Sequence, residues 1–396
     1  MITPTPQQPL KIVLAPDSLK GSLPAAEAAL AMSRGVRQAA EQLGHAAPDV
    51  VLAPLADGGE GTLDALLAAW GAEARETLCH DARGRARTAR YGVSGTHDGV
   101  VRGVLEAAEA NGLPFVADLP PEPLTATSYG VGEIAATLLE DGAAEILLCI
   151  GGSATTDGGA GLLSALGARF LDARGTPLPP GGGALGALAT IDVSGLHPRA
   201  QEVRWRIACD VDNPLCGPRG AAAVFGPQKG ATPDDVVLLD QGLAHLARIV
   251  EEATGISMLD VAGAGAAGGL PAVLVPFLGA EIVPGSALVA DAVGLAEALA
   301  DADLVLTGEG SFDTQSLGGK VVQAVVENAP ARCGVVVIAG RVQLSAAEVQ
   351  AAGLAGAFSL ATGPMRLEEL IEGAEVLMTD AAAQVYGVFS AGAARR

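Results

Sequence analysis

Lys11-Ile12-Val13-Leu14-Ala15-Pro16-Asp17-Ser18-Leu19-Lys20-Gly21-Ser22 carries the pattern of a parallel-sheet strand running into a loop and then a helix. Lys11–Ala15 reads as a buried strand, Asp17–Ser22 as a polar loop, and Pro24–Ala40 as an Ala-rich helix whose proline suits a first turn. A second strand is expected at Val50–Pro54. It runs into Ala56-Asp57-Gly58-Gly59-Glu60-Gly61-Thr62 and then a helix from about Leu63 to Trp70. Two strands with a helix after each cannot bury a sheet, so this segment needs partners from elsewhere in the chain.

Those partners are at the far end. Leu304–Thr307, Gly334–Ala339 and Ala357–Leu360 are short buried-strand patterns, alternating with helical ones at Lys320–Asn328, Ala346–Ala352 and from Leu367 onward. Two strands and three predict a five-stranded sheet. The expected layout is a discontinuous outer domain, residues 1–75 plus 295–396, with residues 76–294 inserted into it. Within the insert, Arg85–Val93 and Gly99–Glu106 alternate like antiparallel strands, and Ala144–Ile150 is fully apolar.

Composition agrees with two α/β domains. The chain has 396 residues, beyond the ~250–300 at which single cores stop growing. With 24 Lys+Arg against 45 Asp+Glu its net charge is −21, and no run of basic residues forms a face for nucleic acid or anionic lipid. Five cysteines, odd in number and never spaced as C-x-x-C, predict buried free thiols rather than disulfides or a zinc knuckle. The first residues lack a basic stretch followed by an apolar core, so no secretory signal is expected and the expected location is cytoplasmic. Val261–Ala280 is uncharged for twenty residues, but its glycines together with Pro271 and Pro276 argue against a membrane span. It reads as a buried Gly-rich loop leading into a short strand.

Lysine is scarce: Lys11, Lys20, Lys229 and Lys320 are the whole set, and the last three sit beside glycine. A lysine in a Gly-flanked loop places a compact ammonium against phosphate oxygens; a solvated turn lysine is the plainer alternative. Three turns combine acid and glycine after an apolar strand: Asp57–Gly61, Gly151-Gly152-Ser153-Ala154-Thr155-Thr156-Asp157-Gly158-Gly159, and Gly308-Glu309-Gly310-Ser311-Phe312-Asp313. Open α/β sheets bind ligands at such strand ends. Ser153–Gly159 offers hydroxyls and backbone amides ahead of a helix at Ala160–Leu166, an expected anion cradle. Cys209-Asp210-Val211-Asp212-Asn213-Pro214 follows a strand at Trp205–Ala208 and suits a magnesium ion or, equally, an Asx turn with no metal.

The scattered histidines disfavour zinc, no Gly-x-Ser-x-Gly or P-loop occurs, and no Gly-x-Gly-x-x-Gly is followed by an acid at the dinucleotide-binding distance inside a βαβ unit. Acid-plus-glycine turns with lysines fit the positioning and electrostatic stabilisation of a phosphoryl group.

Taken in order, Ala15–Ser22, Ala56–Thr62, Gly151–Gly159 and Gly308–Asp313 with Gly318 and Lys320 closely resemble the type I glycerate kinase family of bacteria over almost the whole chain. The resemblance implies an α/β fold of two domains, with a cleft between them as the site. One domain is a flavodoxin-like doubly wound parallel sheet, discontinuous in sequence; the other is an inserted α/β domain with a mixed sheet, likened to restriction endonucleases. It implies ATP- and Mg2+-dependent phosphorylation of D-glycerate to 2-phosphoglycerate, with D-glycerate and ATP as partners and a homodimer left open.

The residues expected in catalysis are Lys20, Asp57, Asp157, Glu309 and Asp313. Those expected on substrate or phosphate are Asp17, Ser18, Gly58, Gly59, Glu60, Gly152, Ser153, Thr155, Lys229, Ser311 and Lys320, with Asp210 and Asp157 on the metal. Two rival readings use the same loops. A non-catalytic nucleotide or sugar-acid sensor would consume no ATP, and a Mg2+-dependent phosphatase would release phosphate without ADP.

Overall fold

The computed structural model describes residues 9–19, 21–59, 61–95, 99–317 and 321–393. In chain order its strands are β1 (Lys11–Pro16), β2 (Asp49–Leu52), β3 (Arg75–His80), β4 (Ala86–Val93), β5 (Arg102–Glu106), β6 (Glu145–Cys149), β7 (Arg169–Leu171), β8 (Thr190–Asp192), β9 (Arg204–Ala208), β10 (Glu281–Val283), β11 (Leu304–Gly308), β12 (Ser311–Phe312), β13 (Gly334–Ala339), β14 (Arg341–Val342) and β15 (Gly356–Ser359). The chain divides into two units. Met1–Asp57, Asp64–Gly71 and Ser286–Arg396 form the first, and Gly58–Leu63 with Ala72–Gly285 the second.

In the first unit the strands lie in the order β15-β13-β11-β1-β2, every neighbouring pair parallel. Counted within the unit this is the flavodoxin-like order, in which strand addition reverses direction between β1 and β11. Parallel strands covered on both faces need unbroken apolar runs rather than alternation, and Ile12, Val13, Leu14 and Ala15 are all fully buried. On one face Ala28, Met32 and Val36 from the helix Ala25–Gln42, with Met378 and Tyr386 from Ala374–Ala393, share a core with Ile12, Leu14, Leu304 and Leu306. A separate parallel pair, β12 with β14, stands beyond the ends of β11 and β13.

The second unit carries a six-stranded mixed sheet, β10-β9-β6-β5-β4-β3. Its first four strands are mutually parallel, whereas β4 runs antiparallel to both β5 and β3. The antiparallel reading of β4 and β5 holds; β3, which alternates less cleanly and ends exposed, escaped it. Ile134, Leu138, Leu105, Leu148, Trp205 and Leu243 centre its core, and the indole N–H of Trp205 donates to the Ala200 carbonyl at 2.7 Å.

Two expectations need correction. Val261–Ala280 starts as the expected loop, with Ala267, Gly268 and Gly269 in left-handed backbone, but a helix at Pro271–Leu278 then intervenes before β10. Pro271 sits in the first turn, where its missing N–H costs no hydrogen bond, and Ala272, Val273 and Leu274 are fully buried, so a helix apolar all round is stable there. Among the described residues no helix is long and apolar enough to cross a membrane. All five cysteines are free as expected, but burial is complete only for Cys79 and Cys149; Cys209, Cys216 and Cys333 are half-buried.

Candidate active site

Because β10, β9, β6 and β5 are parallel, their carboxyl ends lie along one edge of the second unit, with Cys149 in register with both Ala208 and Glu106. The turn after β6, the Asp210 segment after β9 and the helix Ala107–Asn111 after β5 all start from that edge. The Gly-rich turn at Gly58–Gly59 packs onto the same edge. A Cβ on Gly58, whose φ is +83°, would come within 2.8 Å of the Ala208 Cβ and 2.9 Å of the Gly285 Cα. No other residue fits this contact, so Gly58 is required by close packing whatever it also does for a ligand. The Leu63 amide then donates to the buried Glu106 carboxylate at 2.8 Å, fixing the turn's exit.

Part of the expected anion cradle at Ser153–Gly159 is turned inward onto the protein itself. Asp157, 1% exposed, accepts from the Ser128 amide (2.8 Å), the Ser128 hydroxyl (2.9 Å), and the Gly159 and Gly161 amides (3.2 Å each). The Gly158 amide donates to Gly268 O and the Ala154 amide to Asn111 O. These N–H groups therefore serve an internal carboxylate and the backbone. A cation would compete with four donors for the Asp157 lone pairs, so the geometry makes Asp157 a positioning residue rather than a metal ligand. Ser128 completes the arrangement by accepting from the Leu162 amide at 2.9 Å. Sequence reasoning missed Ser128, although a serine directly before a helical pattern is a recognisable start signal.

Lys229 is a buried cation of the second unit. It closes a short 3-10 turn, Pro227–Lys229, and its ammonium donates to the Thr155 carbonyl at 2.6 Å and the Ser153 hydroxyl at 3.5 Å. Burial lowers its pKa to about 8, with the negative charge of Asp157 opposing the shift. Lys229, Ser153 and Thr155, three of the expected phosphate-binding residues, are thus brought together, with Gly152 exposed on the same turn. Asn111, also unanticipated, donates to the Thr155 hydroxyl at 3.0 Å. Its own Oδ1 and the Thr156 hydroxyl are buried without a hydrogen-bond partner among the described residues.

In the first unit the expected residues cluster where strand addition reverses, the place at which doubly wound sheets bind ligands. The Asp17 amide donates to Gly308 O at 2.7 Å across the β1–β11 boundary, and the Asp17 carboxylate accepts from the Ser18 amide at 2.6 Å. Glu309 follows β11 directly, and its carbonyl accepts from Gly340, just past β13. Ser311 lies on β12 in register with Arg341 on β14, and the Arg341 guanidinium donates to the Ser311 hydroxyl at 3.2 and 3.4 Å. Asp313 opens the next turn, its amide donating to the Ser316 hydroxyl at 3.2 Å. Asp57 ends the unit's first segment, half-buried. Sequence reasoning did not single out Arg341; a lone arginine after a strand has no motif of its own.

Lys20, Glu60 and Lys320 lie outside the described residues. The Asp210–Asn213 segment is committed elsewhere: Asp210 accepts from the Gly285 amide at 2.8 Å, Asp212 pairs with Arg219 at 2.9 Å, and the Asn213 amide group donates to Arg219 O at 2.7 Å. Among the described residues no three or more His, Cys, Asp or Glu side chains are arranged to hold a metal. Magnesium needs fewer, since one or two carboxylates plus phosphate oxygens suffice.

Phosphotransfer chemistry is the class that the acid-and-glycine strand ends of each unit point to, and comparison with known proteins agrees. The profile of the Glycerate kinase family matches residues 12–390. Glycerate kinase of Bacillus subtilis strain 168 is 43% identical over 93% of this chain and 95% of its own length. Glycerate 2-kinase of Escherichia coli K12 is 43% identical over 92% and 94%. A crystal structure from Salmonella typhimurium LT2, designated glycerate kinase 2, superposes with a TM-score of 0.87 at 41% identity, covering 97% of this chain and 99% of that one. The chain belongs to the glycerate kinase family and is a kinase.

Proposed function

We propose that this kinase transfers the γ-phosphoryl group of ATP to the 2-hydroxyl of D-glycerate, with Mg2+, giving 2-phosphoglycerate and ADP. One observation supports the reading above the others. The described residues of the four motifs that resemble the family lie at or beyond the carboxyl ends of parallel strands.

In this reading the acceptor hydroxyl oxygen bonds to the γ-phosphorus as the bond from phosphorus to the ADP oxygen breaks. The hydroxyl proton passes to a carboxylate of the first unit's edge, drawn from Asp17, Asp57, Glu309 and Asp313. Mg2+, when bound, would neutralise phosphate oxygens, and the carboxylate and hydroxyl oxygens of that edge are the hard donors it prefers. Lys229 holds Ser153 and Thr155 in place for phosphate, while Lys20 and Lys320 enter the proposal by sequence position alone. Asp157 positions the turn through Ser128.

The test is an ADP-release assay with D-glycerate, L-glycerate or no acceptor, with and without Mg2+, followed by phosphorus NMR of the product. Mg2+-dependent release with D-glycerate alone and phosphate on C2 is the expected result. Absence of release with either enantiomer, despite saturable ATP binding, would overturn it.

A further inference from the structure

Arginines in this chain are mostly spent on neighbouring acids, as in the pairs Arg34–Glu375, Arg85–Asp118, Arg204–Glu281 and Arg366–Glu369. Arg341 differs. It is exposed, it sits at the carboxyl end of the parallel sheet, and none of the ion pairs among the described residues includes it. Its guanidinium instead donates to the hydroxyl of Ser311 at 3.2 and 3.4 Å.

The backbone holds this pair in place. β12 and β14 pair in register at Ser311 and Arg341, the Arg341 amide donates to Gly310 O at 3.1 Å, and the Gly340 amide to Glu309 O at 3.2 Å. Because Ser311 accepts from the guanidinium, its own O–H proton is left to donate. A guanidinium fork beside a hydroxyl donor suits a planar, singly charged, two-oxygen anion, and guanidinium–carboxylate pairing is commonly bidentate. Asp17, whose amide meets Gly308 O, and Glu309 and Asp313 follow the same strand ends, so an incoming carboxylate needs a cation of its own there.

We infer that Arg341, with Ser311, binds the carboxylate of the small hydroxy-acid acceptor and selects acids over neutral polyols. The inference rests on the kinase reading above and adds a specificity-determining residue to it.

The test compares wild type with R341A and S311A, using D-glycerate and its uncharged amide as acceptors. R341A should raise KM for D-glycerate by about 10- to 100-fold, the range of a lost hydrogen bond to a charged group, while KM for ATP stays within about twofold. S311A should shift the same constant by less. Wild type should prefer the acid to the amide, and R341A should lose that preference. An unchanged KM for D-glycerate, an equal rise in KM for ATP, or a retained acid preference in R341A would overturn the inference. Should wild type not turn over D-glycerate, the activity reading fails by itself. Calorimetric titration with D-glycerate then decides: binding by wild type that R341A weakens supports the anchor, and absent or equal binding overturns it.

Discussion

Lys229 is a charge held away from water by a backbone carbonyl and a hydroxyl, and its lowered pKa records the cost. In the unfolded chain the same ammonium titrates near 10.5, so between about pH 8 and 10.5 the unfolded state binds the additional proton. Native stability from this group therefore increases as pH rises through that window. Against K229M, which titrates nothing there, wild type should gain on the order of 1–3 kcal/mol between pH 7.5 and 10, read as a changing gap in thermal unfolding midpoints. A constant gap would mean that the lysine is solvated. Asp157 is the complementary case, a buried carboxylate with four donors. D157N turns an N–H2 group toward N–H donors and should cost about 2–4 kcal/mol in denaturant unfolding, with turnover falling because Ser128 and the Ser153–Thr155 turn lose their reference point.

Among the elements, the helices Ala25–Gln42 and Ala374–Ala393 approach unusually closely at Gly35. A Cβ there would stand 2.0 Å from the Thr379 carbonyl oxygen and 3.0 Å from the Ala383 amide nitrogen. Alanine normally stabilises a helix interior over glycine, yet G35A must push two helix backbones apart and should destabilise by about 1–3 kcal/mol. Gly387, in the second of these helices, has open space around its Cβ position. G387A should therefore stabilise by about 0.5–1 kcal/mol, and equilibrium unfolding of the two variants should give opposite signs. The strand ends follow a similar rule of close approach, since the Gly58 turn reaches the end of β9 only because it lacks a side chain.

For the whole molecule, the net charge of −21 is a self-repulsion that the fold tolerates. Screening relieves it, so raising salt from 10 to 200 mM should increase stability by on the order of 1 kcal/mol, or about 2 °C in midpoint. Thermal scans in sodium chloride check this, and a falling midpoint would mean that the ion pairs outweigh the repulsion. The family's profile runs through both units, from residue 12 to residue 390, so the kinase assignment belongs to the chain as a whole rather than to either sheet.

The order of residues is enough to define the class of fold and the family. Unbroken apolar runs such as Ile12–Ala15 and Leu304–Thr307 have no stable place except a parallel sheet covered on both faces, and the acid-and-glycine turns after them keep their order along the chain. Local pattern also placed the helices it named, such as Thr62–Trp70 and Ala346–Ala351, to within about two residues, but it named none at Tyr129–Glu140 or Pro233–Thr254. It misjudged Pro271–Leu278, where an apolar helix and an apolar loop look alike without knowledge of burial. Tertiary structure alone decided which polar groups are spent internally. Asp157 reads as a catalytic acid until Ser128, from the start of another helix, is brought within 2.8 Å of it. Arg341 reads as an ordinary surface cation until β14 pairs with β12 and sets it beside Ser311. Hydrogen-bond partners and charge neighbours are distant in sequence, and only folding settles which lone pairs and protons are left for a ligand.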